Sequence, residues 1–246
     1  YLDYILYCIN ILSDDLATMR YRTKGRQLAP LIIRTRGHRL EGIWHSGSPM
    51  AGLINLIRGV FLLVPRNMTQ AAGFYNTLLK ANQPAVLIES LNGYRIKEKK
   101  PNNLGEYCLP VGEIEVLKEG ADITLISYGS TLRIVQNVAL TLEHYHIDAE
   151  VIDIQTLIPF DITKEIRNSI AKTNRLLIVD EDMPGGASAY ILQQLLEKQN
   201  IFPLLDSEPK LLTAKEHRPP YAEDGDYFSK PSADDIFESV YEIMHE

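Results

Sequence analysis

Trp44-His45-Ser46-Gly47-Ser48-Pro49 sets one histidine among hydroxyls and a glycine, in a loop that follows an apolar run. An imidazole in that setting titrates near neutral pH and can act as acid, base or partner to an oxyanion. A lone loop histidine is more often structural, so pattern alone leaves both readings open. Gly129-Ser130-Thr131 lies between an apolar run and a helical stripe. Such a turn either holds an anion at the helix N-terminus or is an ordinary tight turn with Thr131 as its cap. Gly185-Gly186 has the same ambiguity, with packing or interface contact favoured. His38, His144, His146, His217 and His245 have weaker surroundings, and solvated surface is the default for each. The sequence holds no phosphate-binding glycine loop with lysine, no paired-cysteine metal site and no nucleophile elbow.

The elements that must position these residues alternate. Ile123-Thr124-Leu125-Ile126, Val151-Ile152-Asp153-Ile154 and Leu176-Leu177-Ile178-Val179 read as strands covered on both faces. Between the first two, Leu132, Val135, Val138, Ala139 and Leu142 form a helical stripe. Between the second and third, Ile162, Ile166 and Ile170 repeat every four residues. Strand, helix, strand, helix, strand is the order of a parallel sheet with crossover helices.

The first half has the same character. Leu2, Ile5, Ile9, Leu12, Leu16 and Met19 predict a helix at the start of the chain, and runs at 31–34, 60–65 and 85–89 predict strands. A helix over 69–80 has Asn67 as its N-cap. Opening on Tyr1 with a helix, the chain reads as a fragment of something longer. Residues 97–103 hold no apolar side chain and carry Pro101, Asn102 and Asn103, which predicts a linker. Further strands are expected over 111–118 and 211–213, and helices over 188–198 and 233–244, the last capped by Ser232. The fold class is therefore α/β in two domains.

Composition narrows the function. Apolar residues make up 45% and charged residues 23%, as in ordinary globular proteins. The most apolar stretch, 51–65, is broken by Asn55 and Arg58, so no membrane span is expected, and no signal peptide is visible. Cys8 and Cys108 are too few for a disulfide framework; they are expected to be buried or half-buried, in a reducing, cytoplasm-like compartment. The net charge of −7 speaks against nucleic acid as a partner. That charge sits in the tail, where Glu223, Asp224, Asp226, Asp234, Asp235, Glu238, Glu242 and Glu246 face only Lys230. On the terminal helix, Ile236, Phe237, Val240, Tyr241 and Met244 are expected to be buried, leaving the acids either solvated or free to dock a partner.

Several segments together resemble the beta subunit of the thiamine-diphosphate-dependent decarboxylating component of 2-oxo acid dehydrogenase complexes. Tyr1-Leu2-Asp3-Tyr4 and Met19-Arg20-Tyr21-Arg22 resemble the family's opening helix. Ile33-Arg34-Thr35 and His45-Ser46-Gly47-Ser48-Pro49 resemble its Ile-Arg-Ser/Thr strand and His-Ser-Gln-Ser-Pro loop. Tyr94-Arg95 resembles its Leu-Tyr-Arg. Asp153-Ile154-Gln155-Thr156-Leu157-Ile158-Pro159-Phe160-Asp161 resembles its most recognisable signature, Asp-Leu/Ile-Arg-Thr-Leu/Ile-x-Pro-Trp/Leu-Asp.

The resemblance implies an incomplete pyrimidine-binding domain over 1–96, a linker over 97–108 and a three-layer α/β/α transketolase C-terminal domain over 109–246. It implies that Tyr4 packs near the cofactor's aminopyrimidine and that His45 reaches the channel where the 2-oxo acid meets the lipoyl arm. Thiamine diphosphate and magnesium would be held mainly outside this chain. The partners implied are an alpha subunit or fused alpha domain, a second beta subunit and the lipoyl acyltransferase. Gly47 and Met50 stand where the family has Gln and Glu, and Leu78 and Ala81 stand where it has ligands for a monovalent cation. A transketolase, a deoxyxylulose-phosphate synthase or a non-catalytic dimerisation and docking fragment shares this architecture.

Overall fold

The computed structural model describes residues 1–37, 47–217 and 225–245. Two sheets organise it. The first has the order β1-β3-β2-β7, from β1 (Ile32–Arg36), β3 (Ala85–Glu89), β2 (Phe61–Leu63) and β7 (Thr156–Ile158). The second has the order β4-β6-β5-β8-β9, from β4 (Glu115–Lys118), β6 (Ala149–Asp153), β5 (Ile123–Ser127), β8 (Leu176–Val179) and β9 (Lys210–Leu212). Within each sheet the strands are parallel except β7, which runs antiparallel to β2, and β4, antiparallel to β6.

The second sheet is the middle of three layers because its strands are apolar on both faces. Ile123, Leu125, Val151, Leu177 and Val179 turn to one side, against α4 (Leu132–Glu143) and α8 (Ala233–His245). Ile126, Ile152, Leu176 and Ile178 turn to the other, against α5 (Glu165–Thr173) and α6 (Ala187–Gln193). That alternation is the period-two geometry of a pleated strand. In the first sheet, Leu63, Ala85 and Leu87 meet Phe74 and Leu78 of α3 (Met68–Leu78). Leu62, Val86 and Ile88 meet α2 (Met50–Leu56) and the N-terminal helical segment. That segment is 3₁₀ over Leu2–Cys8, π over Ile11–Leu16 and α in α1 (Ala17–Arg22). The face shared by α2 and α6 belongs to one continuous apolar cluster running from Leu2 to Ile201, so the two sheets share a core. No helix among the described residues is long and apolar enough to cross a membrane.

Four expectations are corrected. The terminal helix buries Ile236, Val240 and Ile243, whereas Tyr241 is exposed and stacks on His245. Cys8 and Cys108 are exposed, not buried. Ile162 precedes α5 and is exposed. Residues 50–56 form a helix that periodicity did not predict. Several tail acids are engaged locally: Asp235 and Ser232 bond each other reciprocally as a capping box, Glu242 pairs with Lys210, and Tyr227 donates to Asp234.

Helix starts are satisfied from different distances. Asn67 caps α3 as expected, accepting from Gln70 N at 2.8 Å. Glu98, inside the expected linker, adds two more bonds, accepting from Met68 N at 3.1 Å and Thr69 N at 3.0 Å. Asp161 caps α5 through Glu165 N and Ile166 N, both at 3.1 Å, and also accepts from Gln199 Nε2 at 2.8 Å. Because Asp161 is buried and serves four donors, Thr163 Oγ1 at 3.3 Å being the fourth, Asp161→Ala should cost about 3 kcal/mol in urea denaturation. Asn67→Ala should cost no more than about 1 kcal/mol, since Glu98 keeps two of the three amides. Equal costs would contradict this division of labour.

Candidate functional site

Ligands of open parallel sheets bind beyond the carboxyl ends of the strands. In the first sheet those ends are Arg36 and Glu89, paired in register on β1 and β3. Gly37 N donates to Glu89 O at 2.8 Å, so the chain leaves β1 tied to its neighbour. From this edge depart the loop that carries His45 and the 3₁₀ turn Leu91–Arg95 that carries Tyr94. Arg36 lies over the Tyr1 ring at 4.3 Å, which brings the N-terminal segment to the same edge. Tyr4, 52% exposed, follows on that segment, with Tyr1 at 6.4 Å and Tyr7 at 6.2 Å between ring centroids. His45 and Trp44 lie outside the described residues.

Glu89 is the hub of the edge, only 3% exposed. Arg34 Nη2 donates to it at 2.7 Å, Tyr75 Oη at 2.6 Å, and Tyr94 Oη donates to the same carboxylate. Burial pushes the Glu89 carboxyl up, but the bonds from Arg34, Tyr75 and Tyr94 outweigh it and hold the group below the usual range. The edge therefore rests on a fixed negative charge that orients two phenols and a guanidinium. A charged residue closing an otherwise apolar strand was the signal for Glu89, and the sequence reading passed over it.

The far end of the His45 loop is fastened by the other sheet. Asp180, Glu181 and Asp182 follow β8 and are all buried. Ser48 Oγ donates to Glu181 Oε1 at 2.9 Å, and Ala51 N, in the first turn of α2, donates to Asp182 Oδ2 at 3.2 Å. Asp180 accepts from Ser188 N at 2.7 Å, which caps α6, and from the buried Tyr128 hydroxyl. Gly186 is required by contact: a Cβ there would lie 2.6 Å from Asp182 Cβ. Packing is thus the role of Gly186, whereas Gly185, at φ +83° with open space around it, serves the turn. Gly129 has φ +59° and would place a Cβ 2.9 Å from Val64, but Thr131 makes no side-chain cap bond, contrary to the expectation for that turn.

Comparison with known proteins matches the transketolase C-terminal domain over residues 112–236. Over 223 residues the chain is 30% identical to the pyruvate dehydrogenase E1 component subunit beta of Gracilaria tenuistipitata var. liui, covering 89% of this chain and 67% of that one. The chain belongs to the transketolase-like family of 2-oxo acid dehydrogenase beta subunits. The acetoin:2,6-dichlorophenolindophenol oxidoreductase subunit beta of Bacillus subtilis (strain 168) is 29% identical over 245 residues, 99% of this chain and 70% of that one. The 2-oxoisovalerate dehydrogenase subunit beta 2, mitochondrial, of Arabidopsis thaliana is 36% identical over 205 residues, 80% of this chain and 55% of that one. A split gene transketolase, solved as an inactive beta4 tetramer, shares the fold with TM-score 0.71 at 17% identity, covering 96% of this chain and 74% of that one.

Among the segments that carry the family likeness, the structure gathers Tyr4, Arg34 and Tyr94 at one sheet edge. The signature 153–161 stands elsewhere, at the junction of the two sheets. The run Asp180-Glu181-Asp182 was not singled out from sequence; its signal was three acids at the carboxyl end of an all-apolar strand. Burial, and then the charge of Asp180, push the Asp182 carboxyl from 3.8 up to about 6. A raised carboxyl pKa means that the folded state holds its proton more tightly than the unfolded chain. This group's contribution to stability is therefore full below about 4 and lost as pH rises to about 6. Asp182→Asn keeps an acceptor for Ala51 N and removes the titration. The stability of the variant relative to the parent should rise between pH 4 and 6 in urea titrations; a difference independent of pH would contradict the assignment.

Proposed function

We propose that this chain is part of the beta subunit of a 2-oxo acid dehydrogenase, one that decarboxylates pyruvate or a branched-chain 2-oxo acid and passes the acyl group to a lipoyl arm. The observation that carries the reading is the gathering of the Tyr4 segment, Tyr94 and the departure of the chain toward His45 at one sheet edge, while Glu181 of the second sheet holds Ser48 on the far side of His45. The names of the pyruvate and 2-oxoisovalerate dehydrogenase relatives support it.

The chain fits one end of thiamine diphosphate. The half-exposed Tyr4 ring, between two other tyrosines, suits the flat aminopyrimidine. The charged end is assigned outside this chain by the family likeness. Diphosphate and magnesium fall to an alpha subunit or fused alpha domain, completed by a second beta subunit and served by a lipoyl acyltransferase. When bound, the cofactor supplies a nucleophilic carbon and an electron sink as carbon dioxide leaves. His45 donates a proton or stabilises negative charge where the 2-oxo acid meets the lipoyl arm. Glu181, through Ser48, positions the loop that carries it.

The purified chain with thiamine diphosphate, magnesium and pyruvate, 2-oxoisovalerate or acetoin should release no carbon dioxide or acyl product above blank. Adding an alpha subunit and a lipoyl domain should restore acylation of the lipoyl group with one of the two 2-oxo acids. Turnover by the chain alone, or acetoin as the only substrate of the assembly, would overturn the reading. In the active assembly His45→Ala should lower lipoyl acylation on the order of 10²-fold with little change in stability. A loss below about threefold with normal cofactor binding would make His45 structural.

A further inference from the structure

We infer that the cleft between the two sheets binds a small organic phosphate, with its phosphate at the start of α4 and an aromatic body against the apolar part of the lining. The cleft holds about 820 Å³, within the range of about 300–1,000 Å³ that small-molecule sites occupy. One wall comes from the first half of the chain, through Ser90, Gly93 and Ile96. The other is the Gly129–Thr131 turn, the first turn of α4 and residues 230–233.

Three observations place an anion at α4. α3, α5, α6 and α8 have side chains bonded to their first amides, from Asn67 and Glu98, Asp161, Asp180 and Ser232 respectively. α4 has none. Thr131, its N-cap, lines the cleft at 6% exposure with no side-chain hydrogen bond. Arg133, exposed and also lining the cleft, has no hydrogen bond or ion pair. Helix-start amides, a hydroxyl and an uncommitted guanidinium together make a phosphate site.

The other charges facing the cleft are committed. Arg66 serves Glu115 and Asp153, and Lys230 donates to Glu181 O at 2.8 Å. Glu98 accepts from the amides that start α3, and Glu181 from Ser48 and, at 3.3 Å, Ser130. Among the described residues, Arg133 is thus the cation lining the cleft that no carboxylate engages. Beyond the phosphate position, Ile96, Ile134, Pro231 and the half-exposed Tyr227 ring offer apolar surface to a base, so a nucleoside monophosphate matches both ends. The inference is independent of the decarboxylase reading.

Isothermal titration of the full chain, in whatever assembly it forms, tests it with adenosine 5′-monophosphate, inorganic phosphate and adenosine. Saturable binding of the nucleotide is expected, about tenfold or more tighter than either fragment. Arg133→Ala should weaken it about tenfold or more, the usual cost of losing a charge-assisted bond, while leaving adenosine unaffected. Arg133 is on the surface, so the variant folds; Thr131→Val gives a second, smaller loss. Absence of saturable nucleotide binding up to several millimolar, or equal affinity in parent and Arg133→Ala, would overturn the assignment.

Discussion

Asp153 is fully buried at the end of β6, and Arg66 Nη1 reaches it at 2.6 Å from the first sheet. Burial drives the Asp153 carboxyl from 3.8 up to about 6, and Arg66 and the bonds around it limit the rise. Those bonds are complete: Gln70 Nε2 donates to Asp153 Oδ2 at 3.1 Å, and Gln155 N to Oδ1 at 2.9 Å. Arg66 also reaches Glu115 at 2.6 Å. A buried pair of this kind contributes little net stability compared with apolar packing, but either charge left alone would be costly. Its effect is positional. It admits one placement of the loop after β2 against the end of β6.

That placement decides where the chain goes next. After Asp153, Gln155 takes φ +61° and donates to Glu113 O, and residues 156–158 cross to the first sheet, antiparallel to β2. Asp161 then returns the chain to the second sheet by capping α5. One nine-residue run therefore belongs to both halves. With the sheets held in this way, Glu181 and Asp182 stand where Ser48 and α2 can meet them, and the His45 loop is fixed at both ends. The nucleotide cleft lies in the same gap, with Arg66 on its wall.

Much of this was legible in the sequence wherever one segment determined its own structure. Residues 85–89, 123–126 and 176–179 are apolar enough on both faces to specify covered strands, and Asn67 caps α3 from three residues away. The misses share a cause: the deciding partner is distant in the chain. α2 has no cap of its own in sequence, because Asp182 supplies it. β7 is too short to show a period, and its partner lies nearly a hundred residues earlier. Tyr241 has the spacing of a core residue, yet Ile243 takes the buried place against the second sheet. Of the site, His45 stood out from its loop pattern, Tyr4 and Tyr94 were legible only through family likeness, and Glu89 and the acids after β8 show their importance once the sheet edges are in view.

The claim that one run couples the two sheets is tested most directly by hydrogen exchange at single-residue resolution in the parent and in Asp153→Asn. Coupling predicts that the amides of β2 and β7 lose protection together in the variant, with Ala51 and its neighbours in α2 following, since the anchors from beyond β8 shift with the second sheet. Loss of protection confined to 154–158, with β2 and α2 exchanging as in the parent, would contradict it.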